Sequence, residues 1–444
     1  MLFSNKQTLI SNGLISEIKQ KRNHLLTILS SIIQAVDPYQ SVLRYIKENP
    51  MNDKGKTIDF NDFNNIYLVG FGKASVGMAQ AICDSLSIES GAIITNEKNA
   101  SVTHESITTF HGGHPLPNKE SIKGATLIKD IASNCKSDDL LLVLISGGGS
   151  ALLCHPKIEL SELQLTTQFL LKSGASIHEI NTIRKHLSNV KGGKLIENTT
   201  CPVLALIISD VVGDPIEFIA SGPTAPDSTT YQEAKDIFKK YNLWAKIPSS
   251  TQMTIMSGIS KQIPETLKKD NPVFSNVQNT IIANNHLACK TAYVTAQKLG
   301  YRPNLLTTSL TGEARHKGSW ILKRAEEPSN KHDNLFITGG ETTVTIHGSG
   351  TGGRNQEMAL AMINELNDKK KVFSSFATDG IDGTSNAAGA IVDGFSLKRA
   401  NKLNLDVESF LQDNNSFEFF RKLDDLLITG PTGTNVMDVQ ILIT

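Results

Sequence analysis

The sequence predicts an α/β protein in which strands of a parallel sheet alternate with helices. Two observations carry this expectation. Short apolar runs recur at Ile66–Val69, Ala92–Thr95, Leu140–Ile145, Val203–Ile208, Thr280–Ala283, Leu335–Thr338, Val344–His347, Val372–Ala377 and Leu426–Ile428. Several of them lead through a loop into apolar residues at helical spacing, the pattern of strand–helix repeats. In such sheets ligands collect beyond the carboxyl ends of the strands, so the loops after these runs are where chemistry is expected.

A chain of 444 residues is long enough for two domains, each with its own core. The polar stretch 241–279, with Pro248, Pro264 and Pro272, reads as the linker and suggests domains at 1–250 and 251–444. Lys+Arg and Asp+Glu balance at 44 each, so no global field favours nucleic acid or an anionic membrane. No apolar run approaches the roughly 20 residues of a membrane span. Five scattered cysteines fit a reducing, cytoplasmic setting and argue against a zinc cage. Residues 1–24, with Lys6, Lys19, Lys21 and Arg22, read as an amphipathic first helix rather than a targeting segment. Homo-oligomer formation is compatible with the sequence.

Taken in chain order, the first informative loop is Gly70-Phe71-Gly72-Lys73-Ala74-Ser75. A Walker loop would need glycine at Tyr67 and Ser/Thr at Ala74, and a dinucleotide fingerprint would need glycine at Ser75. Lys73 at a helix start is an unfavourable place for an unoccupied cation, which points to an anion. His114, in His-Pro-Leu-Pro, reads first as structural, with a substrate hydrogen bond as the alternative. Ser146-Gly147-Gly148-Gly149-Ser150 offers backbone N–H groups and two hydroxyls to phosphate oxygens. The segment 180–194 reads as a helix with an apolar stripe of Ile180, Ile183, Leu187 and Val190, stopped by Gly192-Gly193. There Lys185 and Lys194 read as a solvated basic face, whereas Arg184 and Lys191, seven apart, could meet one anion.

Asp210, just past the run Val203–Ile208, suits magnesium coordination, a general base or a helix cap; Asp214 before Pro215 reads as a turn residue. Glu341 follows a third strand end. Gly348-Ser349-Gly350-Thr351-Gly352-Gly353 runs into Arg354-Asn355-Gln356-Glu357 and a helix, an arrangement suited to phosphate or carboxylate. Gly352, Gly353 and Asn355 are its candidate contacts. Asp379 and Asp382 form a further carboxylate pair at a strand end.

The segments GFGKASVGMA, GGHPLPN, LISGGGSALL, INTIRKHLSNVKGGKL, SDVVGDPIEFIASGPTAPD, TGGETTVTIHGSGTGGRNQEMALA and TDGIDG with AAGA, spanning about 66–394, together resemble the glycerate 2-kinase family. TGPTGTNVMD extends the match to about 438. The resemblance implies a Rossmann-like three-layer N-terminal domain, a smaller C-terminal α/β domain called MOFRL, and an active site in the cleft between them. It further implies transfer of the ATP γ-phosphoryl group to the 2-hydroxyl of D-glycerate. The family's cleft lysine and arginine map onto Lys73 and Arg354. Gly70, Gly72, the 146–150 loop, Arg184 and Lys191 are the expected substrate- and phosphate-binding residues. Asp210 and Asp379 are the expected magnesium ligands, with Asp210 also a candidate base. Where the family has Pro-Thr-Asp after DGIDG, this chain has Thr384-Ser385-Asn386, so no carboxylate stands at Asn386. A hydroxypyruvate reductase, a label this family has also carried, and a non-catalytic phosphosugar- or acid-binding protein are the alternative readings.

Overall fold

The computed structural model describes residues 2–48 and 57–444 and divides into two compact units. One runs from Pro38 to Ile282; the other joins the residues up to Asp37 to Ala283–Thr444. The boundary expected near 250 therefore lies at 282/283, and the first two helices belong to the second unit. The stretch 241–279 is not a linker. Its helix Ser249–Ile259 places Ile255 in a core with Leu170, Ile183, Phe238 and Ile247.

The first unit carries a six-stranded sheet: β1 (Ile66–Phe71), β2 (Ser90–Thr95), β3 (Ile107–His111), β4 (Leu140–Ile145), β5 (Val203–Ile208) and β6 (Val277–Ala283). The order is β3-β2-β1-β4-β5-β6, and the register of the first five is parallel. Every residue of β4 and β5 is buried, which is why both read as unbroken apolar runs. The order reverses between β1 and β4, the switch point at which doubly wound sheets open a crevice for ligands.

The second sheet is mixed. It contains β7 (Pro303–Leu310), β8 (Leu335–Gly340), β9 (Val372–Ala377), β10 (Gly389–Asp393), β11 (Leu426–Leu427) and β12 (Asp438–Ile443), in the order β11-β10-β9-β12-β8-β7. Only β7 and β8 pair in parallel; β12 runs antiparallel to both of its neighbours. As a result β12 begins, at Asp438, on the edge where β8 and β9 end. Val344–His347 forms no strand, and Ile346 is 77% exposed.

Helix Ser16–Ala35 is anchored to this unit through Arg22, which is fully buried. Its Nε donates to Asp393 at 2.5 Å, and its Nη1 donates to Asp425 and to the Leu9 carbonyl, each at 2.8 Å. Arg399 pairs with the second oxygen of Asp425. Arg22 is thus an internal tie, not part of a basic N-terminal face. No helix among the described residues is long and apolar enough to cross a membrane.

Candidate active-site residues in the two units

At the switch point the loops after β1 and β4 are locked together. The Lys73 N–H donates to the Gly147 carbonyl at 2.8 Å, and the Ala74 N–H donates to Ser146 Oγ at 3.1 Å. Gly72 has φ +127°, and a Cβ there would fall 2.1 Å from Ser146 Oγ, so only glycine fits. Ser146 is buried and Ser150 Oγ lies 2.5 Å from Ser221 Oγ, so both hydroxyls bind within the protein. This differs from the expected phosphate-facing hydroxyls. The N–H groups of Gly147 and Gly148, by contrast, meet no acceptor among the described residues. They are the loop's free donors, and an anion held there would satisfy them. Gly70 is not a phosphate contact: it lies inside β1, where a Cβ would press on Leu144 and Ile93.

Asp210 follows β5 and faces this loop. A Cβ on Gly147 would lie 2.2 Å from Asp210 Oδ2, so the glycine makes room for the carboxylate. His114 also reaches the site, with ring carbon Cδ2 3.1 Å from the Cβ position of Gly148. Burial, Lys73 and Arg184 all lower its pKa, which keeps its imidazole neutral.

The helix expected to run to Gly192 ends at His186. Lys185 and Lys194 are buried, not a solvated face. Lys185 bonds Asp227 at 3.0 Å, and Lys194 donates to the carbonyls of Lys185 and Ser188. Burial pushes Lys194 down to about 7. The expected stripe also splits: Ile180, Ile183 and Leu187 join one core, and Val190 joins the core under the sheet.

In the second unit the first part of the glycine loop before Arg354 spends its N–H groups within the protein. The Gly348 and His347 N–H groups donate to Asn414 Oδ1, that of Ser349 to Asp413 Oδ1 and that of Gly350 to the Asp413 carbonyl. A Cβ on Gly348, Gly350 or Gly352 would fall within 2.4 Å of Asp413, Asn415 or Ser416, so these glycines serve a close chain crossing. The helix N-terminus is also occupied. Buried Asp382 accepts the N–H of Asn355 at 3.0 Å and of Gln356 at 2.8 Å, and lies against Gly353. Asn355, fully buried, spends its amide on Asp382 and Ser375. Gly352 and Gly353 pack closely on Ser416 and Asp382 while their N–H groups meet no acceptor among the described residues, and Asn355 is engaged internally. Burial pushes Asp382 up to about 6, against the pull of those two N–H groups.

Arg354 is bidentate to buried Asp438, Nε to Oδ2 at 2.5 Å and Nη2 to Oδ1 at 3.0 Å, and its Nη1 lies 2.8 Å from Glu341. The fork expected to seize a ligand is engaged internally. All three of its nitrogens thus face carboxylates, although the side chain as a whole remains 31% exposed. Asp379 accepts the Ile381 N–H in a turn, and no group of three or more His, Cys, Asp or Glu among the described residues is arranged to hold a metal. Asn386 is exposed.

Comparison with known proteins decides the lineage. A domain of unknown function (DUF4147) matches residues 24–256, and the MOFRL family matches residues 334–438. Glycerate 2-kinase from Pyrococcus horikoshii is 42% identical, with 94% of this chain and 96% of the relative covered. D-glycerate 2-kinase from Thermotoga maritima is 37% identical over the same shares. The crystal structure of glycerate kinase from Thermotoga maritima superposes with a TM-score of 0.83 at 35% identity, covering 95% of this chain and 98% of that one. The chain belongs to the glycerate kinase family.

Within this family framework the MOFRL match spans β8 to the first residue of β12 and so includes Arg354, Asp382 and Asp438. Asp382, Asp438 and His114 are the residues that sequence reasoning passed over or undervalued. The GGRNQE and TDGIDG segments already named the first partner pair. Nothing in the spacing pointed to Asp438, because its contact with Arg354 depends on an antiparallel return strand.

Proposed function

We propose that this protein transfers the γ-phosphoryl group of ATP to the 2-hydroxyl of D-glycerate, yielding 2-phosphoglycerate and ADP. The names of its full-length relatives support the reaction class. The observation that carries the assignment of the site is the approach of Asp210 to Gly147, beside the two unsatisfied loop N–H groups and Lys73. Phosphoryl transfer needs charge stabilisation and positioning more than covalent chemistry. In this reading the loop N–H groups and Lys73 hold phosphate oxygens. Asp210 accepts the proton of the 2-hydroxyl as its oxygen bonds to phosphorus and the bond to the ADP oxygen breaks. Arg354, fixed by Asp438 within the MOFRL segment, is the second cation this reading assigns to turnover.

Magnesium fits Asp210, since this ion is commonly held by one or two carboxylates together with substrate phosphates. It would neutralise phosphate charge there. Asp379 keeps one oxygen in its own turn and is the weaker candidate. A cytoplasmic location belongs to the same reading, supported by five unpaired cysteines. The reductase alternative is disfavoured by Ser75, whose buried hydroxyl bonds the carbonyls of Gly72 and Ile94 where a dinucleotide loop needs glycine.

Gly147→Ala tests the reading. Its backbone is not left-handed, so the added methyl acts by displacing Asp210. Turnover is expected to fall at least about a hundredfold, because a misplacement near 1 Å is enough for that. The unfolding midpoint should change little. Near-normal steady-state turnover in this variant would remove Asp210 from the mechanism.

A further inference from the structure

We infer that Arg184 and Lys191 form the subsite that receives the carboxylate of the acid substrate, an assignment that rests on the kinase reading above. Both residues line a small cavity of about 20 Å³ together with Ser150, the last residue of the glycine loop. That volume suits groups of about water size, such as the two oxygens of a carboxylate. Its lining includes no Asp or Glu. Arg184, partly buried, makes no hydrogen bond or ion pair among the described residues. Lys191 is 4% exposed, and among the described residues its Nζ donates only to the Leu153 carbonyl, at 2.7 Å.

Two cations facing one cavity without a counter-charge are costly, since each is desolvated and each repels the other. The effect is visible on Lys191, which burial and then Arg184 push down to about 8. Arg22 is matched by Asp393 and Asp425, and Lys185 by Asp227, whereas buried Lys194 bonds only the carbonyls of Lys185 and Ser188 and stands apart from this cavity. The mismatch at Arg184 and Lys191 is resolved when an anion enters. A planar guanidinium takes two carboxylate oxygens, and the lysine has donors to spare. The neighbouring residues Ala220 and Ser221 hold positive φ of 50° and 64°, and Ser221 is the hydroxyl partner of Ser150. Strain of that kind persists where surrounding structure imposes it, as at ligand sites.

The test is isothermal titration of the full chain with D-glycerate, glycerol and ATP, for the wild type, Arg184→Gln and Arg184→Lys. Wild type should bind D-glycerate and not glycerol, which lacks the carboxylate. Arg184→Gln should weaken D-glycerate about thirtyfold, the loss of a charged hydrogen-bonded pair, with ATP affinity nearly unchanged. Arg184→Lys should fall between them. Without ligand, Arg184→Gln should unfold at or above the wild-type temperature, because it removes an unmatched charge. Wild-type affinity for D-glycerate in Arg184→Gln, an equal loss for ATP, no binding by the wild type, or a lowered unfolding temperature would each overturn the subsite. Binding that behaves as expected in a protein that transfers no phosphoryl group would refute the kinase reading and leave the carboxylate subsite standing.

Discussion

Arg22→Met is expected to destabilise the second unit by about 3–5 kcal/mol, the cost of breaking a buried ion pair and leaving its carboxylates uncompensated. Asp393 and Asp425 are both fully buried, and Arg22 is the cation that links them. Burial alone would raise the Asp425 pKa, yet Arg22 and Arg399 hold it below the usual carboxylate range. That paired carboxylate stabilises the fold at neutral pH, and its contribution is lost as pH falls through the lowered value. Thermal unfolding at pH 7 should show the second unit's midpoint lowered by roughly 10 °C. A change below about 1 kcal/mol, within the range of exposed ion pairs, would mean that the N-terminal helix is not integral to this unit.

Arg354→Ala is expected to fail in two separable ways. Asp438, fully buried, loses both of its guanidinium bonds, and stability should drop by about 3 kcal/mol. Turnover should fall at least about a hundredfold if Arg354 stabilises transition-state charge. The double variant Arg354→Met/Asp438→Asn separates the effects, since it removes the orphaned charge. Denaturant unfolding should show most of the stability restored while kcat stays low. Recovery of kcat in the double variant would assign Arg354 a purely structural role.

The strands buried on both faces were the legible part of the fold. Leu140–Ile145 and Val203–Ile208 coincide with β4 and β5 because nothing polar interrupts them, and Val372–Ala377 coincides with β9 although it carries the buried Ser374 and Ser375. The missed strands have physical reasons. β3 and β7 are sheet edges with partly exposed residues, so their apolar pattern is diluted. β12 is central but carries Asp438 and Gln440, and Gln440 is satisfied only by Thr338 and Ser375 from neighbouring strands. Thr-Val-Thr-Ile at 343–346 imitates a strand but has no sheet position to occupy.

The candidate site was legible to a similar depth. Lys73, Gly147, Gly148 and Asp210 converge because each follows a strand of one parallel sheet, at ends that topology brings together. Glycine-rich sequence alone could not separate two uses of glycine. At 147 and 148 it leaves N–H groups unsatisfied; at 348 and 350 it permits a close crossing with the chain at 413–415 and the N–H groups are engaged there. Likewise spacing set Lys191 apart from Lys185 but could not show that Lys185 is buried against a carboxylate. Only the fold shows that one has Asp227 and the other a cavity shared with Arg184.

The most direct measurement is phosphorus NMR of the product formed when the protein is incubated with ATP, magnesium and D-glycerate. The account predicts stoichiometric ADP and a single new phosphomonoester, identified as 2-phosphoglycerate by comparison with authentic standards. Formation of 3-phosphoglycerate, or no phosphoryl transfer accompanied by steady NADH oxidation with hydroxypyruvate, would contradict it.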